Sequence, residues 1–211
     1  KFCLTGVVGF KRQLKSFEIV EQVQLAMKEG FPISHLVFMG MGEPLLNYKE
    51  VFKAIDLMTD EKTYNLSTRK ITVSTSGYKQ GIQQLIDDER FINLAFSVGT
   101  TDLIEREKIM PIDKRNPFVE VVRLLHNYQN LHNRKLTLEY TLLKDVNDNE
   151  FAIKGLINLS RYLNSKVNLI NLNPHPRIPY EPVSKDKLLK IKQLIASAKV
   201  PVTIRYEKGQ D

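Results

Sequence analysis

The stretch Phe38-Met-Gly-Met-Gly-Glu-Pro-Leu-Leu-Asn47 decides how the rest of this chain is read. It closes an apolar run, His35-Leu-Val-Phe-Met39, whose length and composition predict a buried strand. The strand then enters a loop of two glycines, an acid and a proline. Gly40 and Gly42 let the backbone approach a ligand closely, and Pro44 removes one N–H and stiffens the exit. Such a loop offers backbone carbonyls and the Glu43 carboxylate, groups suited to an ammonium. A phosphate cradle would instead offer several glycine N–H groups and a lysine, as in GxxxxGK[ST]. A tight turn that needs glycine for geometry alone fits the same residues.

Working outward, strand and helix signals alternate. Ser16 is expected to cap a helix over about 17–29, with Ile19, Val20, Val23 and Ala26-Met27 on one face and Gly30 as its stop. A strand over 34–39 follows, then the glycine loop and a helix near 48–59 with Val51, Ile55 and Met58 inward. Lys70–Ser74 reads as a β-branched strand, 79–88 as a helix and Ile92–Ser97 as the next strand. The segment 101–117 reads as a short helix and an irregular loop. A helix near 117–131, a strand over Lys135–Leu142, a helix near 149–163, a strand over Val167–Leu172, a helix capped by Ser184 and a strand over Val202–Arg205 complete the series. Six strands separated mostly by helices predict βα units and a parallel sheet in one α/β domain.

In parallel sheets and barrels chemistry gathers at the carboxyl ends of the strands. That rule brings Gly42-Glu43, Ser74-Thr75-Ser76, Ser97-Val98-Gly99 and Asn171–Pro174 to one rim. A hydrolase would need a nucleophile with a base or paired carboxylates, and no GxSxG elbow is present. None of His35, His126, His132 and His175 lies three or four residues from another, so they read as structural or surface groups. His175 is kept apart because it lies two residues beyond Asn173. The rim therefore resembles a cup for a polar cofactor that brings its own reactivity. Carbonyls and Glu43 suit an ammonium, serine hydroxyls a carboxylate, and Asn173 or Ser97 a ribose, a set that describes an amino acid joined to a nucleoside.

Composition narrows the class further. The 211 residues are 42% hydrophobic and 26% charged, ordinary for a folded domain. The apolar runs fall far short of the roughly 20 residues of a membrane helix, and Lys1–Arg12 lacks a signal-peptide layout, so a cytoplasmic protein is expected. A net charge of +7 favours polyanionic partners. Lys185, Lys187, Lys190 and Lys192 are expected on a solvated helix face, while Lys11-Arg12, Arg69-Lys70 and Lys114-Arg115 flank places where a ligand could lie. The single cysteine, Cys3, excludes an internal disulfide and cannot make a metal site alone. A chain that begins Lys-Phe-Cys without Met reads as a fragment.

Phe2–Leu14 (FCLTGVVGFKRQL), MGMGEPLLN at 39–47, TVSTSG at 72–77, IMPIDKR at 109–115, NLNPHP at 171–176 and VTIRYEKGQD at 202–211 together resemble the radical SAM ribosomal RNA adenine methyltransferases. The resemblance runs collinearly along essentially the whole chain. It implies a partial (β/α)6 barrel, truncated at both ends relative to the family. It also implies a 4Fe–4S cluster on a CxxxCxxC loop, with S-adenosylmethionine (SAM) on the unique iron. By position, Cys3 matches the third cluster cysteine, Gly42 and Glu43 the holders of the methionine amine, Ser74 and Ser97-Val98-Gly99 the holders of the rest of SAM, and Asn173 that of its adenosine. The partners implied are ribosomal RNA, tRNA and an electron donor such as flavodoxin, for a monomer. The family's reaction implies a cysteine near the carboxyl terminus, expected beyond Asp211, that is methylated by one SAM. A second SAM yields the radical that activates this methyl for addition to adenine. Where the family commonly has Ser-Leu-His, this chain has Ser97-Val98-Gly99, which puts one SAM contact in question. Two other readings of the residues are a radical SAM enzyme without a cysteine carrier and a cluster-free module that holds RNA.

Overall fold

The computed structural model describes residues 2–205, and calls that fall on 206–211, including the Gly209-Gln-Asp211 end of the last motif, lie outside the described residues. Six strands form one sheet in the order β1 to β6, every neighbouring pair parallel. They are β1 (Leu36–Phe38), β2 (Ile71–Thr75), β3 (Asn93–Ser97), β4 (Thr137–Leu142), β5 (Lys166–Asn171) and β6 (Val202–Arg205). Helices α1 (Leu4–Val8) and α2 (Ser16–Lys28) precede the sheet. The crossovers contain α3 (Tyr48–Thr59), α4 (Lys79–Asp87), α5 (Leu103–Ile109) with α6 (Phe118–His132), α7 (Glu150–Tyr162) and α8 (Lys185–Ser197).

Strand alternation gives the sheet two unlike faces. Ile71, Val73, Leu94, Phe96, Leu138, Tyr140, Val167 and Leu169 turn toward the helices and form the core with Val51, Phe52, Ile55, Ile82, Leu125, Leu156 and Ile195. The opposite face carries Thr72, Ser74, Asn93, Ser97, Glu139, Asn168 and Thr203. There the Asn168 amide donates to Glu139 Oε2 at 2.9 Å and accepts from Thr203 Oγ1 at 3.0 Å. The sheet is curled: Arg205, at the end of β6, reaches Met39 Sδ beyond β1 at 2.9 Å although five strand pairings separate them. The apolar face packs under the helices and the polar face lines the inside of the curl, in a partial (β/α)6 barrel.

Some boundaries differ from expectation for clear reasons. Ser16 is the first residue of α2 rather than its cap; the Glu18 carboxylate, held by Arg12, reaches back to accept Lys15 N at 2.8 Å, and Ser16 N donates to Glu50 on α3 at 2.8 Å. The strand expected to be buried is the three-residue edge of the sheet, with Val37 57% exposed. The helix α1 carries no buried residue and has no apolar period from which to read it. Of the four helix lysines expected in solvent, Lys187 instead pairs with Asp148 in the β4–α7 loop. No helix among the described residues is long and apolar enough to cross a membrane.

Candidate cofactor cup at the carboxyl rim of the sheet

The glycine loop after β1 takes backbone shapes that side chains resist. Gly40 and Gly42 sit at φ +128° and +85°, where an L-residue is strained. A 3₁₀ turn then begins at Pro44, with Glu43 accepting Leu45 N at 3.3 Å as its cap. The other Glu43 oxygen, Oε2, accepts from Ser76 N at 2.7 Å and from Ser76 Oγ at 2.6 Å. The ends of β1 and β2 are thus joined through one carboxylate. Burial raises the pKa of Glu43 above its ordinary value, and the Ser76 donors oppose that shift. Oε2 already holds two short hydrogen bonds while Oε1 holds one long one, so the carboxylate retains capacity for a cation, which its desolvation makes more favourable.

The other expected residues fall on the same rim in different states. Ser74 is on the concave face, but its hydroxyl donates to Phe38 O at 2.8 Å and so holds β1 against β2. Ser97 ends β3 on that face, directly in register with Glu139 of β4. The Val98 side chain lies in the core, and its N–H donates to Glu139 O at 2.9 Å, so it can offer a ligand only backbone. Gly99 has φ +68°, and its carbonyl accepts from Asn147 Nδ2 at 2.6 Å. A Cβ on Gly99 would overlap Met110 Sδ, with Met110 Cγ at 3.1 Å. The space beside Gly99 is therefore filled by a methionine thioether. Asn173 is exposed beyond β5, in a loop pinned by Asn171, whose amide exchanges hydrogen bonds with the Val183 backbone at 3.0 Å each way. His175 stays in that loop and accepts Arg177 N, a turn-forming role.

Cys3 is exposed just before α1. Its neighbour Phe2 packs on a small apolar cluster of Ile109, Met110, Leu143 and Leu172, which follows the ends of β4 and β5 and places the start of the chain at the same mouth. Among the described residues no group of three or more His, Cys, Asp or Glu could hold a metal.

The family model described as "Radical SAM superfamily" matches residues 1–153. The chain belongs to the radical SAM superfamily. It is 39% identical over 218 residues to a probable dual-specificity RNA methyltransferase RlmN of Salinibacter ruber, covering all of this chain and 59% of that protein. To the protein of the same name from Akkermansia muciniphila it is 37% identical over 213 residues, again 100% of this chain and 59% of the relative. The crystal structure of a radical SAM methyltransferase from Sphaerobacter thermophilus superposes with a TM-score of 0.93 at 33% identity, covering 99% of this chain and 62% of that one. The resemblance read from the motifs and the partial barrel are both borne out. The chain spans about three fifths of the length of the curated relatives it matches.

With the superfamily come its cofactors, SAM and a 4Fe–4S cluster. The rim fits SAM: a desolvated carboxylate with an underused oxygen, backbone at Gly42, and a hydroxyl at Ser97. For the cluster this chain supplies one thiolate, Cys3, which is insufficient for four irons.

Four residues of this rim lay outside the sequence reading. Arg106 and Asp113 sit in the segment read as a short helix and an irregular loop, and Asn147 in the turn-rich stretch after β4. Asn147 is fully buried and bridges Gly99 O, Thr141 O and Leu143 N. Glu139 is mid-strand; its position between Leu138 and Tyr140 in a strand of otherwise apolar and threonine residues was the available signal.

Proposed function

We propose that this chain is the barrel of a radical SAM RNA methyltransferase that methylates adenine in large-subunit ribosomal RNA, and in tRNA, through a methylated cysteine. The observation that carries the reading is the Glu43 carboxylate, desolvated and held on one side by Ser76, at the mouth of a polar barrel face in a chain collinear with RNA methyltransferases. The cofactors, when bound, supply the methyl group and the radical that activates it. The residues of this chain bind and orient. With SAM bound, Glu43 would hold the methionine ammonium, Gly42 would allow its close approach, Ser74, Ser97 and the Val98–Gly99 segment would border the rest of SAM, and Asn173 would meet its adenosine. Cys3 would supply one thiolate to the cluster. The electron donor is a flavodoxin-like protein, and the enzyme works as a cytoplasmic monomer.

The test uses the complete gene product, reconstituted without oxygen. It should release 5′-deoxyadenosine from SAM under a strong reductant and leave methyladenine in ribosomal RNA, read by mass spectrometry. Glu43→Gln keeps the shape but not the charge, and is expected to weaken SAM binding about 100-fold, since it removes the charge from the ammonium contact. SAM turnover without RNA methylation would leave a radical SAM enzyme of another specificity; no SAM turnover would overturn the reading.

A further inference from the structure

Arg106 is fully buried on α5 and takes no part in the reading above. Its Nε donates to both carboxylate oxygens of Asp113 at 2.9 Å. The plane of its guanidinium is held near Phe118 and Phe96, with Cζ 4.6 and 5.4 Å from the two ring centres. What remains of the fork points at the rim. Nη2 donates to Ser76 O at 3.3 Å, and Nη1 reaches Ser97 O at 3.5 Å and Met110 Sδ at 3.2 Å. One side chain therefore holds backbone carbonyls at the carboxyl ends of two adjacent strands, β2 and β3. The other polar atoms of Ser76, its N–H and hydroxyl, are the two donors on Glu43 Oε2.

A desolvated ion pair is a poor device for stability alone, since apolar replacement of both partners is often neutral. Its value lies in geometry: a rigid planar fork fixes distances that an apolar side chain leaves free. We propose that Arg106, oriented by Asp113, is the positioning residue of the cofactor cup, locking the β2 and β3 rims and, through Ser76, the orientation of the Glu43 carboxylate. This rests on the reading of the rim as a SAM cup. Its structural half stands separately from that reading.

The experiment compares the complete gene product with a double variant, Arg106→Met with Asp113→Leu, which leaves no unpaired buried charge, and with Arg106→Lys. Two readouts need no cofactor: amide hydrogen exchange at Ser76, and the titration of the Glu43 carboxyl carbon by NMR, assigned through Glu43→Gln. The third is equilibrium binding of SAM. The double variant is expected to keep a melting temperature near the parent's, while Ser76 exchanges about tenfold faster. The Glu43 midpoint should rise by about one unit as its donors loosen, and SAM binding should weaken about tenfold. Arg106→Lys should fall between parent and double variant, because it keeps the charge and loses the fork. Parental exchange at Ser76 and a parental Glu43 midpoint, whatever the melting temperature, would overturn the proposal and leave Arg106 a structural residue. Altered exchange and midpoint in a protein that binds no SAM even as the parent would uphold the positioning role and defeat the functional reading instead.

Discussion

The two ends of the sheet both bury charged or titratable groups, and they treat them in opposite ways. At the carboxyl end Glu43, Arg106 and Asp113 hold defined partners, and the hydrogen bonds run continuously from β1 to β3. At the amino end His132 closes α6 with both ring nitrogens buried and without a hydrogen-bond partner among the described residues, and Arg134 Nη1 is in the same state. His132 packs edge-on against Phe91 and Tyr128, with ring centres at 4.3 and 4.5 Å. An imidazole held this way acts as a flat apolar ring. The contrast separates a rim where polar geometry is specified from a base where packing suffices, the division expected of a parallel α/β barrel.

The largest expected effect breaks the rim. Asp113→Ala strands the Arg106 guanidinium, which burial already draws down to about 10 yet leaves charged at neutral pH. A loss of about 3–5 kcal/mol is expected, measured by denaturant unfolding. A loss below about 1 kcal/mol would show that the rim tolerates the loss of a polar partner as the base does.

A smaller effect probes how tightly the rim is packed. Gly99→His introduces the imidazole that the motif resemblance implies, but must accept positive φ and displace Met110. It should cost about 2–4 kcal/mol, with Met110→Ala in the same chain recovering part of it. Thermal melts of the single and double variants read the coupling.

The smallest effect is at the base. Burial and Arg134 lower the pKa of His132, with Glu89 opposing. The unfolded chain therefore takes up the proton first as the pH falls. Stability contributed by the neutral ring is complete above the unfolded value near 6.5 and declines as the pH drops through that region toward the folded value. His132→Phe should flatten that slope between about pH 7 and 5, with a change of about 1 kcal/mol or less. An unchanged slope would mean that the ring already finds a partner.

What could be read beforehand follows the same division. The strands and helices were legible because one sheet face must be apolar, and Val73, Phe96, Leu138 and Leu169 announce it at period two. Gly42, Glu43 and Ser97 were legible because rim loops show up as breaks in that pattern. Arg106 and Asp113 were not, since the segment between Thr101 and Pro117 has no period, and a lone arginine on a short helix reads as solvated. Their meaning depends on Ser76, thirty residues away, which only the β2–β3 pairing brings near. Ser16 misled because the capping role passed to Glu18, two residues on.

The brevity of β1 has a consequence for solubility. An open parallel sheet presents unpaired backbone at its edges, which invites strands from other chains. Three residues, bounded by Ser34-His35 on one side and a glycine turn on the other, offer too short a ladder to template such pairing. The edge nearest the glycine loop is blunted by its own length.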